Sequence, residues 1–407
     1  MVKIAHSFYG SIRRFTFPAA PRFALRCKTM MEPELSSPPA DGRSRFAPVF
    51  DILNGAIAAH TFPGCAFGVF ADGDVVLQDA LGRFTYDDDA RVVTATTVYD
   101  IASLTKVVAA AAASMLLYQK GLLDLDIPLG ELLPGFVVGR SSNERAHHVR
   151  LRHLLAHNSG LPGYVELFRT ETTPAALLRA CLQLPLEAEP GTRAEYSDPG
   201  FILLGKALEV LTGQDLAAFV RNEVFQPFGL VATGFAPRPD ARPFIPPTEE
   251  DTSFRHRRIQ GEVEDENAWR LGGVAGHAGL FSNVPDLLSF ASRILVARGS
   301  RGLVDRSDLF ERKTIDCFAE RQGPEGSSRA LGWDTPSPES SAGRYFSPKS
   351  IGHLGFSGCS LWIDLESDIA VVLLTNRTWP DRQNQEIRSL RPAFHDAVRK
   401  ALLPVNR

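Results

Sequence analysis

The chain has few of the features that mark membrane, nucleic-acid-binding or disulfide-stapled proteins. No apolar run in its 407 residues approaches the roughly 20 that a helix needs to cross a bilayer. Basic residues are not in excess: 44 Lys and Arg stand against 47 Asp and Glu, a formal net charge of −3. Without a long basic stripe, the chain carries no nucleic-acid footprint. It has no C-x-x-C, and its five cysteines (Cys27, Cys65, Cys181, Cys317, Cys359) are odd in number and scattered. That argues against a disulfide framework or a zinc knuckle. Cys65 and Cys359 lie in or beside strand-like runs and are expected to be buried, inert thiols. The first 31 residues contain no acid, and Pro18, Pro21 and Arg22 break the only stretch that could form the apolar core of a secretory signal. Cys27 follows Leu25-Arg26, a poor lipoprotein context, and the Met30-Met31 pair admits a later translation start. Residues 1–45 are expected to be a disordered, basic, Pro/Ser-rich tail. The compartment, cytoplasmic or exported, stays open.

What is present is an ordinary globular composition, 44% apolar and 22% charged, at a length that suits two domains or one with an insertion. Residues 49–59, just after Pro48, read as an amphipathic helix. The runs 64–71 and 74–80 are strand-like and joined by Asp72-Gly73, a hairpin signal. A second strand pair, 360–365 and 369–375, flanks Glu366-Ser-Asp. A last helix is expected from about Pro392, a favoured first-turn residue, to Leu402. Strands at both ends with helical patterns between them predict an α+β protein. Residues 46–102 plus 291–407 would form an antiparallel sheet flanked by helices, and 103–290 an inserted, mainly helical domain. A cleft would lie between the two.

Four polar clusters interrupt this pattern. In Asp100-Ile-Ala-Ser-Leu-Thr-Lys, Ser103 and Lys106 are three apart and can share one helix face. The apolar, alanine-rich residues that follow predict a buried helix, with Ser103 at its N-terminus, where free N–H groups favour a developing alkoxide. A lysine one turn away could trade protons with that serine. The plainer reading is a capping serine and a solvated lysine. In 151–163, His153 and His157 are four apart, but Leu154 stands where H-E-x-x-H needs its glutamate. Both imidazoles are therefore expected to bond backbone and support the fold. In Glu195-Tyr-Ser-Asp-Pro, Ser197 or Asp198 could cap a helix beginning at Pro199. Tyr196 beside a lysine could act as a phenolate base with its pKa lowered by the cation. In Gly352-His-Leu-Gly-Phe-Ser-Gly, glycines 352, 355 and 358 would allow a ligand close to the backbone, with His353 exposed on the plainer reading.

Together, Ser103-x-x-Lys106, Tyr196-x-Asp198 and His353-x-Gly355 resemble, in that order, the serine β-lactamase and penicillin-binding-protein superfamily. The branch they resemble is that of class C β-lactamases, D-peptidases and esterases. The stretches 123–128, 153–161 and 272–282 extend the likeness, and 261–268 is similar to a penicillin-binding-protein 4B-like subgroup. The resemblance implies that Ser103 is the acylated nucleophile, Lys106 its proton partner and Tyr196 the general base. The N–H groups of Ser103 and Phe356 would form the oxyanion hole. His277, in a glycine-rich loop, is expected to support the site from below.

Two departures bear on substrate. Asp198 replaces the asparagine of Y-x-N; an ionised carboxylate only accepts hydrogen bonds, and its charge would favour the ammonium form of Lys106. His353-Leu-Gly replaces K-T-G, removing the lysine and hydroxyl that hold a β-lactam carboxylate. Asp198, His353, Gly355 and Phe356 are the expected substrate-binding positions. The implied function is a serine hydrolase acting on small ester, amide or peptide substrates through an acyl-enzyme, with no metal or organic cofactor. Competing readings are a β-lactamase, a penicillin-binding sensor with little turnover, and a zinc hydrolase built on His153, His157 and Asp124 or Asp126. No G-x-S-x-G supports an α/β-hydrolase elbow.

Overall fold

Alternation along the first strand explains the central layer. In β1 (Gly64–Ala71), Cys65, Phe67, Val69 and Ala71 share one hydrophobic cluster, while Ala66 and Phe70 belong to another. Successive strand side chains point to opposite faces, so a strand apolar at every position is covered on both sides. β2 (Asp74–Gly82) returns through Asp72 and Gly73, whose φ values of 56° and 85° are those of a type I′ hairpin turn. β3 (Ile351–Leu354), β4 (Ser360–Asp364) and β5 (Ile369–Thr375) complete one antiparallel sheet of order β2-β1-β5-β4-β3. The computed structural model describes residues 40–141, 144–299 and 309–403.

Both chain ends thus meet in the sheet centre, where Cys65 pairs with Thr375 and Val69 with Val371. On one face, α1 (Ala47–Ala58) and α5 (Ile387–Leu402) cover Phe67, Trp362, Val371 and Leu373 with Val49, Leu53, Phe394 and Val398. On the other, α4 (Val284–Ala297) presses Val284 and Leu288 against Gly68, where a Cβ would lie 2.6 Å and 2.7 Å from their methyls. The expected domain boundary at 290/291 falls inside α4. Between the chain ends lie α2 (Ala112–Gln119), α3 (Asp198–Thr212) and other helices of nine residues or fewer. Two small sheets join them: Pro247–Asp251 with Arg257–Gln260, and Tyr99–Asp100, Leu280–Ser282 and Gly234–Phe235 side by side.

Two expectations are corrected. Ala40–Arg45 is helical, with Arg43 ion-paired to Asp79 at 2.7 Å, so the tail does not run to 45; its first 39 residues lie outside the described residues. The last helix begins at Ile387, with Pro392 inside it. Its apolar stripe, Ile387, Phe394 and Val398, packs along the sheet and offsets the hydrogen bond that proline cannot donate.

Candidate active site

The nucleophile candidate sits in a turn held by Asp100. Ala102 has φ +46°, a conformation few non-glycine residues adopt, and Asp100 Oδ1 accepts its N–H at 2.8 Å. Asp100 Oδ2 accepts the Glu264 N–H at 2.8 Å, and its carbonyl accepts the Ser357 hydroxyl at 2.7 Å. One residue therefore ties together three segments far apart in sequence. Ser103 follows in a tight 3₁₀ turn (Ala102–Leu104), and Lys106 opens a wide π turn (Lys106–Ala111) that runs into α2.

Lys106 is fully buried, and its ammonium has three acceptors for three N–H donors: Ser103 Oγ at 2.9 Å, Asp198 Oδ1 at 2.6 Å and the His277 carbonyl at 3.2 Å. Its Nζ also lies 4.7 Å from the Tyr196 ring centre. Burial acts to lower the Lys106 pKa, but Asp198 and Tyr196 outweigh it and the net shift is upward. Lys106 and Ser103 both act to lower the Tyr196 pKa, yet the net shift is upward. Desolvation in the cleft and the Asp198 charge outweigh the pull of Lys106. The expected lowering of the Tyr196 pKa is therefore corrected: the resting pair is an ammonium and a neutral phenol.

The Tyr196–Asp198 turn is held by its own helix cap and by the 157–162 segment. Ser197 caps α3, its Oγ accepting from Gly200 N at 3.1 Å and donating to the Pro162 carbonyl at 2.7 Å. His157 Nδ1 accepts the Ser197 N–H at 2.9 Å, and its ring stacks on Tyr196 and Phe201. His153 Nδ1 accepts the Arg150 N–H at 3.1 Å, Asp124 bonds the Asp126 N–H, and Asp126 pairs with Arg152 at 2.7 Å. Both histidines of the zinc reading thus bond backbone, and its carboxylates have partners of their own. Among the described residues, no group of His, Cys, Asp and Glu is placed to hold a metal ion.

His353, 3% exposed, is not the exposed histidine of the plainer reading. Its Nδ1 lies 2.8 Å from the Leu354 carbonyl, which can only accept, so Nδ1 carries the proton. Nε2 is left as an acceptor without a partner among the described residues. Burial, reinforced by Lys106 and Arg329, holds the His353 pKa well below the usual range, so the ring stays neutral. The neighbouring glycines are explained by protein rather than ligand. A Cβ at Gly352 would meet the Trp362 ring at 2.3 Å, and one at Gly355 the Ile101 carbonyl at 2.5 Å. Phe356, 48% exposed, stands at the cleft mouth with the Arg377 guanidinium 4.3 Å from its ring centre. Cys65 and Cys359 are free, buried thiols; burial raises both pKa values, that of Cys359 to about 11.

Ser103, Tyr196, Asp198, His353, Gly355 and Phe356 all line one cleft of about 670 Å³, and Lys106 lies beneath it. The cleft also holds groups that the sequence reading did not single out: Glu264, Asp265, Arg329 and Arg391. Asp265 Oδ1 bonds His277 Nε2 at 2.8 Å and caps the following helix, fixing the loop whose carbonyl receives Lys106. Gly276 makes that approach possible, since a Cβ there would sit 2.3 Å from the Phe201 carbonyl. The acidic run 264–266 was the available signal, but nothing local showed that it faces Ser103.

A protein-family profile described as Beta-lactamase matches residues 49–392. A Salmonella typhi protein named “Putative D-alanyl-D-alanine carboxypeptidase” is 30% identical over 351 residues, covering 78% of this chain and 79% of that protein. Two solved structures are similar in fold. EstCE1, a hydrolase with promiscuous acyltransferase activity, is 21% identical with a TM-score of 0.70, over 88% of this chain and 99% of its own. The octameric penicillin-binding protein homologue from Pyrococcus abyssi is 22% identical with a TM-score of 0.64, over 84% and 76%.

Proposed function

The chain belongs to the β-lactamase family, and from that premise we propose that it hydrolyses carboxylic esters or D-amino-acid-containing amides through an acyl-enzyme on Ser103. The observation that carries this reading is the convergence of Ser103, Lys106 and Tyr196 at the cleft, with Lys106 Nζ 2.9 Å from Ser103 Oγ and 4.7 Å from the Tyr196 ring centre. As the Ser103 hydroxyl attacks the carbonyl carbon, its proton passes to the Tyr196 oxygen. The Lys106–Tyr196 pair must first release one proton, because its resting form is fully protonated. The N–H groups of Ser103 and Phe356 receive the oxyanion, and each such donor contributes on the order of 10²–10³ in rate. Tyr196 then protonates the leaving group, and water repeats the sequence to free Ser103.

Asp198 and the free Nε2 of His353 both accept hydrogen bonds, so this end of the cleft suits a substrate N–H or O–H. Neither side chain has a donor left for a β-lactam carboxylate. That favours esters and D-peptides over β-lactams, in line with the name of the Salmonella relative. For a terminal carboxylate the wall offers cations at Arg329, 5.2 Å from the Tyr196 ring centre, and at Arg388.

The test is intact mass after exposure to a fluorophosphonate and, separately, to a penicillin, for wild type and Ser103→Ala, with turnover of a short-chain nitrophenyl ester. The expected result is a fluorophosphonate adduct and ester turnover in wild type only. A lasting penicillin adduct without turnover would identify a sensor instead. Unchanged turnover in Ser103→Ala would remove Ser103 from the chemistry.

A further inference from the structure

Arg391 is 6% exposed, and no carboxylate among the described residues pairs with it. A buried cation is costly to desolvate unless its N–H groups are satisfied. Here they are spent on the backbone of one turn. Nη2 donates to the Gly355 carbonyl at 2.6 Å and the Cys359 carbonyl at 2.9 Å, and Nε donates to the Gly358 carbonyl at 3.2 Å. Burial lowers the Arg391 pKa to about 10, which leaves it charged at neutral pH.

The Gly355 carbonyl and the Phe356 N–H belong to the same peptide unit. That unit is planar and trans, so its C=O and N–H point in opposite directions. We infer that Arg391 is a positioning residue for the oxyanion hole: by anchoring the Gly355 carbonyl, it fixes the direction of the Phe356 N–H. The Gly358 N–H, also donating to the Gly355 carbonyl at 3.0 Å, supplies a second anchor. A charged donor on the carbonyl polarises the peptide as well, making its N–H a stronger donor, as in any hydrogen-bonded chain. The Gly355 position must be glycine for the same reason: a Cβ would push the turn off the Ile101 carbonyl, 2.5 Å away, and spoil the alignment.

This inference rests on the oxyanion role proposed for Phe356, and the two can fail separately. Wild type, Arg391→Lys and Arg391→Gln would be compared for ester hydrolysis, for affinity to a tetrahedral-forming boronic acid and to a carboxylate product, and for thermal unfolding. Arg391→Gln should lose at least tenfold in kcat and in boronic acid affinity, with KM and product affinity within about twofold of wild type. Arg391→Lys, which keeps a charged donor, should recover part of both losses. If glutamine prevents folding, the lysine variant decides by the same split between boronic acid and product. Equal loss for both ligands, or no loss for either, would overturn the inference. Absence of any boronic acid adduct on Ser103 in wild type would instead overturn the acyl-enzyme reading on which it depends.

Discussion

Asp198 lies where the proton-bearing groups of the site converge, 2.6 Å from Lys106 and within the field of Tyr196. Its negative charge raises the pKa of both, so it holds the pair in the protonated resting form and delays activation to higher pH. kcat/KM should therefore climb into the alkaline range in wild type. Asp198→Asn removes the charge while keeping the shape, and the rising limb should move toward acid by about 1–2 pH units. A pH–rate profile of both proteins checks this, and a limb that stays in place would detach Asp198 from the proton-sharing pair. At this scale the sequence was informative for residues that declare themselves by type and spacing. Ser103, Lys106 and Tyr196 need only a short motif. Asp100, Asp265 and Arg391 do not stand out, because each acts on a group that the fold brings from another segment: the Glu264 N–H, the His277 ring and the Gly355 carbonyl. Nor could the +46° φ of Ala102 be foreseen, as alanine carries no preference for it.

The elements that hold these residues differ in how plainly they were written. β1 and β2 were legible because their alternation and Asp72-Gly73 turn act locally. The start of α5 was misjudged because Pro392 normally marks a first turn, and only the packed stripe shows otherwise. The π turn that opens at Lys106 has no sequence signature, yet it sets how the ammonium reaches Asp198 and the His277 carbonyl. That carbonyl depends on two glycines in contact, Gly205 on α3 and Gly276 in the loop, where a Cβ at 205 would lie 2.9 Å from Gly276 N. Gly276→Ala should cost about 1–3 kcal/mol, as overpacking does, because the atoms it meets are backbone and cannot turn aside. It should also reduce kcat as the loop backs away from Lys106. Denaturant unfolding and ester kinetics read the two effects, and a variant with wild-type stability and rate would show that the contact has slack.

Taken whole, the molecule keeps two acids away from water near its site, Asp100 with its pKa raised to about 6 and Glu264 to about 8. Burial is the main cause in each, and for Glu264 Arg382 opposes it. The folded chain therefore retains protons that the unfolded chain has already released between roughly pH 4 and pH 8, so these groups make stability fall as pH rises. The slope is at most about 1.4 kcal/mol per pH unit for each acid. Glu264→Gln should raise the unfolding temperature near pH 9 and leave it little changed near pH 5. Identical pH dependence in wild type and variant would show that Glu264 is solvated after all. The sheet has a consequence of a different kind, in time. β1 has β2 beside it within a few residues, but its other neighbour, β5, follows roughly 300 residues later. At 5–20 residues per second, a ribosome takes on the order of 15–60 s to cover that distance. Through that interval a strand apolar on both faces keeps one edge open, and the turn that carries Phe356 has not been made. The newborn chain is thus at its stickiest just when it has no chemistry to offer, and both conditions end with the same late segment.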